Sequence, residues 1–124
     1  MFKLLKNGTC LTPDNIGIKD VLIVGSKIYK VEENIPENYL PETQVFDCSG
    51  KFILPGFIDQ HVHITGGGGE SGPETRIPEL MLSSVISSGI STIVGVLGFD
   101  DIFRSPHELW AKAKALEHEG LNTY

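Results

Sequence analysis

Residues 55–72 read PGFIDQHVHITGGGGESG. After Pro55-Gly56, the segment Phe57–His63 sets the large apolar residues Phe57, Ile58 and Val62 among Asp59, His61 and His63. This patterning predicts a strand. A strand sends side chains i and i+2 to one face, so Asp59, His61 and His63 point the same way. Two imidazoles on one strand face can reach a single metal beyond the strand end, and zinc accepts imidazole and carboxylate ligands in this manner. A lone HxH also suits ordinary buried or surface histidines. The context is more specific: an acid stands two positions earlier, and a loop follows that is far longer than the roughly 2–6 residues usual between a strand and a helix.

Downstream of the loop the texture is α/β. Ile77–Ser88 reads as a helix, with Ile77, Leu80, Met81 and Val85 on one face, Pro78 in the first turn and Gly89 just past the end. Ser91–Leu97 contains IVGVL, the near-continuous apolar run of a strand buried on both sides of a parallel sheet. Ser105-Pro106-His107-Glu108 is a capping box with proline at the first helical position. It opens a second helix with an apolar face of Leu109, Trp110, Ala113 and Leu116, ended by Gly120. Leu121–Tyr124 starts another strand. Strand, helix, strand, helix, strand implies parallel strands with right-handed crossovers. Two β/α units and the start of a third strand are too few to cover such a sheet. The expectation is therefore part of a larger α/β protein, a barrel, with unpaired strand edges and self-association if expressed alone.

Upstream, the first fifty residues read as short strands and turns. Phe2–Asn7 is one strand. Asp20–Val24 and Lys27–Val31 form a hairpin through Gly25-Ser26. Glu32–Thr43 is an acidic, proline-bearing loop, and Gln44–Asp47 and Lys51–Leu54 flank Cys48-Ser49-Gly50 as a second hairpin signal.

The totals remove several function classes. The chain has 124 residues, a net charge of −6 and no basic stripe, which argues against nucleic-acid binding. Its apolar runs, such as Val21–Val24, fall far short of the roughly 18 residues of a membrane span, and MFKLLKNGTC is too briefly apolar for a signal peptide. Cys10 and Cys48 have no CxxC spacing and read as reduced thiols in a cytoplasmic protein.

The glycine run, residues 66–69, offers free dihedrals and bare backbone amides, serving either as a plain flexible connection or as a close approach to a ligand. It is no phosphate loop, since neither GK[ST] nor GxGxxG accompanies it. Glu70 could be a metal ligand, a general base, a clamp for an ammonium group, or simply exposed. Arg76 could pair with Glu70 or Glu74, or lie in solvent. His107 and His118 fall on the polar sides of the second helix, in solvent.

PGFIDQHVH resembles the first barrel strand of the amidohydrolase superfamily, whose pattern is PGxIDxHxH. The longer PGFIDQHVHITGGGGESGPETRIPE, with IVGVLG and SPHELWAKAKALEHEG after it, resembles the isoaspartyl dipeptidases. The resemblance covers most of the chain, and GGGGExGP is much more specific than HxH. It implies a chain about three times longer, combining a small β-sandwich built from both chain ends with a distorted (β/α)8 barrel. Residues 1–54 would be the N-terminal share of the sandwich, and 55–124 the start of the barrel. It also implies a site with two zinc ions, His61 and His63 ligating the more buried one. The carboxylated lysine, two further histidines and the catalytic aspartate would come from later strands, so no catalytic residue lies in these 124 residues and they alone are expected to be inactive. Gly68 would contact substrate through its backbone, Glu70 would hold the α-ammonium of the isoaspartyl residue, and Asp59 would orient ligands without touching metal. The substrate would be a small peptide, a β-aspartyl dipeptide, hydrolysed by metal-activated water, and the full-length protein a homo-oligomer. Where the family carries a substrate-contacting threonine after IVGVLG, this chain has Phe99, which removes a hydroxyl from the pocket and bears on dipeptide preference. Two other readings remain: a cyclic-amide hydrolase of the dihydroorotase or hydantoinase kind, and a non-catalytic scaffold. The first lacks an ammonium for Glu70 to clamp; the second typically loses the histidines that this chain keeps.

Overall fold

The computed structural model describes residues 1–98 and 104–124. The chain divides into two compact units, Met1–Pro55 and Gly56–Tyr124.

The first unit is a mixed sheet. Strands β1 (Phe2–Leu11), β2 (Asn15–Val24), β3 (Lys27–Glu32) and β4 (Thr43–Asp47) lie in the order β3-β2-β1-β4, and β5 (Phe52–Ile53) also pairs with β1. The β2–β3 hairpin turns at Gly25-Ser26, as the sequence predicts, while β1 and β2 run longer than their apolar cores suggest. The second hairpin does not form. Both β4 and β5 run parallel to β1, so the chain steps sideways at Cys48–Gly50 without reversing. Asp47 holds the step, its carboxylate accepting from the Ser49 N–H at 3.0 Å and hydroxyl at 2.6 Å. The Cys48 N–H returns to the Lys6 carbonyl at 2.8 Å and the Thr9 N–H to the Lys51 carbonyl at 3.0 Å. Turn composition marks a break in a strand but not its direction; here β1 supplies an acceptor before the break, the Lys6 carbonyl, and a donor after it, the Thr9 N–H.

Cross-strand partners Leu4 and Leu22 are buried, and Ile35 from the long loop closes over them with Val24 and Leu40. Asp20 fixes that closure. The β1–β2 register shifts between Leu5 and Gly8, where Asn7 takes a positive φ of 63° and turns its N–H off the ladder. The Asp20 carboxylate accepts that N–H at 2.9 Å, the Ile35 N–H at 2.8 Å and the Lys6 ammonium at 2.9 Å. The opposite face keeps an apolar groove of about 330 Å³ lined by Cys10, Ile16, Val21, Ile28, Val31 and Ile53. A small mixed sheet with a second apolar face is the expected share of a β-sandwich.

The second unit is a parallel sheet, β6 (Phe57–Val62), β7 (Ile90–Gly95) and β8 (Asn122–Thr123), with β7 central. Its core is Ile64, Val85, Ile93, Leu116 and Leu121. Helix α2 (Pro106–His118) starts as predicted, the Ser105 side chain accepting from the Glu108 N–H at 3.2 Å. Leu109, Ala113 and Leu116 pack inward, but Trp110 is 66% exposed. Helix α1 is shorter than its pattern, spanning only Leu82–Ser87. The Ile77 and Leu80 N–H groups donate to Gly67 and Ile64 carbonyls at 2.9 and 3.0 Å, so this backbone is committed to the preceding loop. Leu80 and Val85 join the core, while Ile77 and Met81 are 59% and 61% exposed. No helix among the described residues is long and apolar enough to cross a membrane.

Burial of Asp20 works to raise its pKa, but bonds from the Ile35 N–H, Lys6 and the Asn7 N–H outweigh this and hold the carboxyl below its ordinary value of 3.8. A depressed carboxylate adds stability in full above the unfolded value and loses it as pH falls through the folded one. Asp20→Asn is expected to cost about 3 kcal/mol in urea unfolding at neutral pH, because it leaves Lys6 half-paired in a buried setting. The difference between wild type and variant should shrink below about pH 4. A pH-independent difference would refute this account.

Candidate metal and substrate site

Strand β6 pairs with β7 at Phe57↔Ile90, Ile58↔Thr92, Asp59↔Ile93 and Val62↔Gly95, with an irregularity between Asp59 and Val62. At this bulge the Asp59 carboxylate accepts the His61 N–H at 3.2 Å. The strand thereby delivers its two histidines together: their ring centroids are 5.2 Å apart, the planes at 78°. His61 is exposed and His63 half-buried. Between them Val62 packs on the core, which anchors the pair to the sheet.

His63 Nδ1 is buried and, among the described residues, has no hydrogen-bond partner. Buried polar nitrogens are nearly always partnered. A neutral imidazole nitrogen is also a metal donor, so this atom and the adjacent His61 ring suit a cation. Among the described residues no cluster of three or more His, Cys, Asp or Glu side chains could hold a metal. The pair therefore fits as two ligands of a larger set, as a catalytic zinc with three or more protein ligands requires.

The glycine run is not a slack hinge. The Gly66 N–H donates to the His63 carbonyl at 2.9 Å, and the Gly69 N–H to the Thr75 hydroxyl at 3.1 Å. Thr75 closes a 3-10 turn, Pro73–Thr75, and its hydroxyl donates to the Gly72 carbonyl at 2.8 Å. Gly66 and Gly68 have φ of 92° and 71°, and a Cβ at either would run into backbone, the Ile77 carbonyl at one and the Thr75 carbonyl at the other. At these two positions glycine is a steric requirement. Gly98, leaving β7, closes the other side: a Cβ there would lie 3.4 Å from His63 Nδ1 and 3.7 Å from Gly67 Cα. Glu70 stands exposed directly after this fixed segment.

One residue of the site has no signature in the sequence. Arg104, 4% exposed, donates through Nε to the Thr65 carbonyl at 3.2 Å and through Nη2 to the Gly67 carbonyl at 3.1 Å. Longer contacts reach the Gly68 and Ile77 carbonyls at 3.4 and 3.5 Å. A single arginine just before a helix cap carries no periodicity that would mark it as buried. His107 and His118 are exposed on α2, as expected. Phe99 lies outside the described residues.

No protein-family model matches the chain. It is similar over 100% of its length to beta-aspartyl dipeptidase from thermophilic keratin-degrading Fervidobacterium islandicum AW-1, whose structure holds beta-Asp-Leu dipeptide. The identity is 52% and the TM-score 0.93, covering 32% of that chain. It is 41% identical over 99 residues to dihydroorotase from Aquifex aeolicus (strain VF5), which covers 76% of this chain and 22% of that protein. D-hydantoinase from Thermus sp. matches 91% of this chain and 24% of its own, at 25% identity and a TM-score of 0.64. The chain thus spans about a third of the dipeptidase's length and about a fifth of the dihydroorotase's. In sequence and in fold the chain is similar, over its whole length, to about a third of beta-aspartyl dipeptidase.

Proposed function

We propose that the whole protein is a zinc-dependent hydrolase of β-aspartyl dipeptides, and that this chain contributes two metal ligands and the substrate cradle. The observation that carries this reading is the fixed glycine segment that sets Glu70 in sequence directly beyond the paired histidines. A β-aspartyl dipeptide is linked through its side-chain carboxyl, so its α-ammonium and α-carboxylate both stay free. Glu70 suits the ammonium by charge and hydrogen bonding. Gly68, lacking a side chain, lets substrate approach the backbone. Asp59 steadies the His61 backbone and with it the ligand pair. Zinc held by His61 and His63, with ligands from outside these 124 residues, would supply Lewis-acid polarisation of the scissile carbonyl and a nucleophile from water at neutral pH. The 124 residues alone would be inactive, and the full-length protein would act as a cytoplasmic homo-oligomer.

The similarity to dihydroorotase supports a second reading, hydrolysis of a cyclic amide. Such a ring offers no ammonium to Glu70.

The full-length protein is expected to hydrolyse β-Asp-Leu in strong preference to α-Asp-Leu; equal rates would sink the dipeptidase reading. Glu70→Gln removes a charge-assisted bond of about 1.5–3 kcal/mol, so kcat/KM for β-Asp-Leu should fall on the order of 10- to 100-fold. Unchanged dipeptide turnover, with retained dihydroorotate or hydantoin hydrolysis, would favour the cyclic-amide reading. His63→Ala should lower zinc per chain, measured by elemental analysis of protein purified without chelators. Full zinc occupancy in that variant would remove His63 from the ligand set.

A further inference from the structure

Four adjacent glycines give the loop the largest conformational entropy that four residues can have. What holds Gly66–Gly69 in one shape must therefore come from outside it, and one source among the described residues is a side chain from the segment following β7. We infer that Arg104 is a positioning residue for substrate binding, acting through the peptides of the glycine segment. This rests on the dipeptidase reading only for its consequence on substrate; the fixing of the loop stands on geometry.

Among the described residues, Arg104 reaches carbonyls of the loop, on Thr65, Gly67 and Gly68, and one on Ile77, in the segment behind it. In a trans peptide the N–H points opposite to the C=O. Drawing the Gly67 and Gly68 carbonyls to one guanidinium therefore turns the Gly68 and Gly69 N–H groups the other way. The Gly69 N–H is indeed found on the far partner, Thr75 Oγ1. Arg104 thus sets the direction of the Gly68 N–H and the path by which the chain enters Glu70, the two substrate contacts proposed above. The planar guanidinium offers five donors in a fixed fork, which suits several carbonyls at different angles. An ammonium has three donors around one point and cannot span the same set.

The geometry also links two loops. Arg104 immediately precedes the Ser105 cap, so α2 places it, while its acceptors lie on the loop after β6. Lys112 of α2 adds a second tie, to Glu79 at 3.1 Å, on the same backing segment. The substrate loop is thereby referenced to the helix that follows the neighbouring strand: its glycines permit the close approach, and a side chain from outside the loop holds it.

The test uses the full-length protein with two readouts. Amide hydrogen exchange is followed across residues 65–77 and, as an internal control, across β7. Arg104→Ala should speed exchange in 65–77 at least 10-fold with β7 unchanged, and Arg104→Lys should fall between it and wild type. In kinetics with β-Asp-Leu, Arg104→Ala should lower kcat/KM at least 10-fold, mainly through KM, at unchanged zinc per chain. Combined with Glu70→Gln, it should lose less than the product of the single losses, because both act on one contact. Unchanged exchange in 65–77, or equal acceleration in β7, would overturn the inference, as would multiplicative kinetic losses. If Arg104→Ala does not fold, the Arg104→Lys exchange comparison decides. If wild type does not cleave β-Asp-Leu, the substrate reading fails while the exchange arm still decides whether Arg104 fixes the loop.

Discussion

Two stretches of backbone, residues 64–69 and 75–80, occupy adjoining space so closely that neither can carry a side chain between them at positions 66 and 68. A Cβ at Gly66 would meet the Ile77 carbonyl and one at Gly68 the Thr75 carbonyl. This contact ties the Ile77 and Leu80 N–H groups to loop carbonyls and goes with an extended Met81 (φ −91°, ψ 135°), so α1 begins only at Leu82. It lines up carbonyls from both stretches for one arginine. It also gives a run of glycine a defined exit into Glu70. Flexibility in the free chain becomes rigidity in the fold, because only glycine permits the approach that fixes it.

The histidine pair depends on a different constraint. Strand alternation sends His61 and His63 to one face, yet alternation would be satisfied by a flat strand that merely displays them. The irregularity between Asp59 and Val62, with Asp59 accepting the His61 N–H, bends the strand end where the rings come together. Val62 and Ile64 pack on the core on either side of His63. A ring held between two core anchors loses little further freedom on binding a cation, so part of the ordering cost of a ligand is met by folding.

How much of this was legible in the sequence follows from which interactions are local. The histidine pair, the β2–β3 hairpin and the Ser105 cap rest on spacing of a few residues, and the parallel order of β6, β7 and β8 on the alternation of strands and helices; the sequence predicts each. Most of the misses involve a distant partner. Ile77–Ser88 has a helical pattern, but its first residues lie along loop carbonyls ten or more residues back and Met81 is extended, so the helix starts at Leu82. Lys51–Leu54 has a hairpin's flanking turn, but β1 supplies partners for a parallel continuation. Trp110 falls on the apolar stripe of α2 and still faces out, since Leu109, Ala113 and Leu116 already meet the core. Arg104 is the extreme case: its acceptors lie 27 to 39 residues away, and nothing adjacent to it in sequence announces them.

The division between fold and function runs along the same line. A strand ending in two histidines serves the hydrolysis of any amide that a metal can polarise. It is accordingly compatible with relatives whose names refer to dipeptides, dihydroorotate and hydantoins alike. Likeness of fold therefore cannot choose among them. What can choose is a group whose charge has a counterpart on one substrate class and none on the others. A carboxylate desolvated beside a neutral ring would lose hydration without gaining a partner, whereas beside an α-ammonium it gains a charge-assisted bond. Under the proposed function Glu70, which follows the glycine segment directly, would be the group in this chain that makes such a choice. On that reading its placement, more than the histidine pair, would give the proposed dipeptidase activity its specificity.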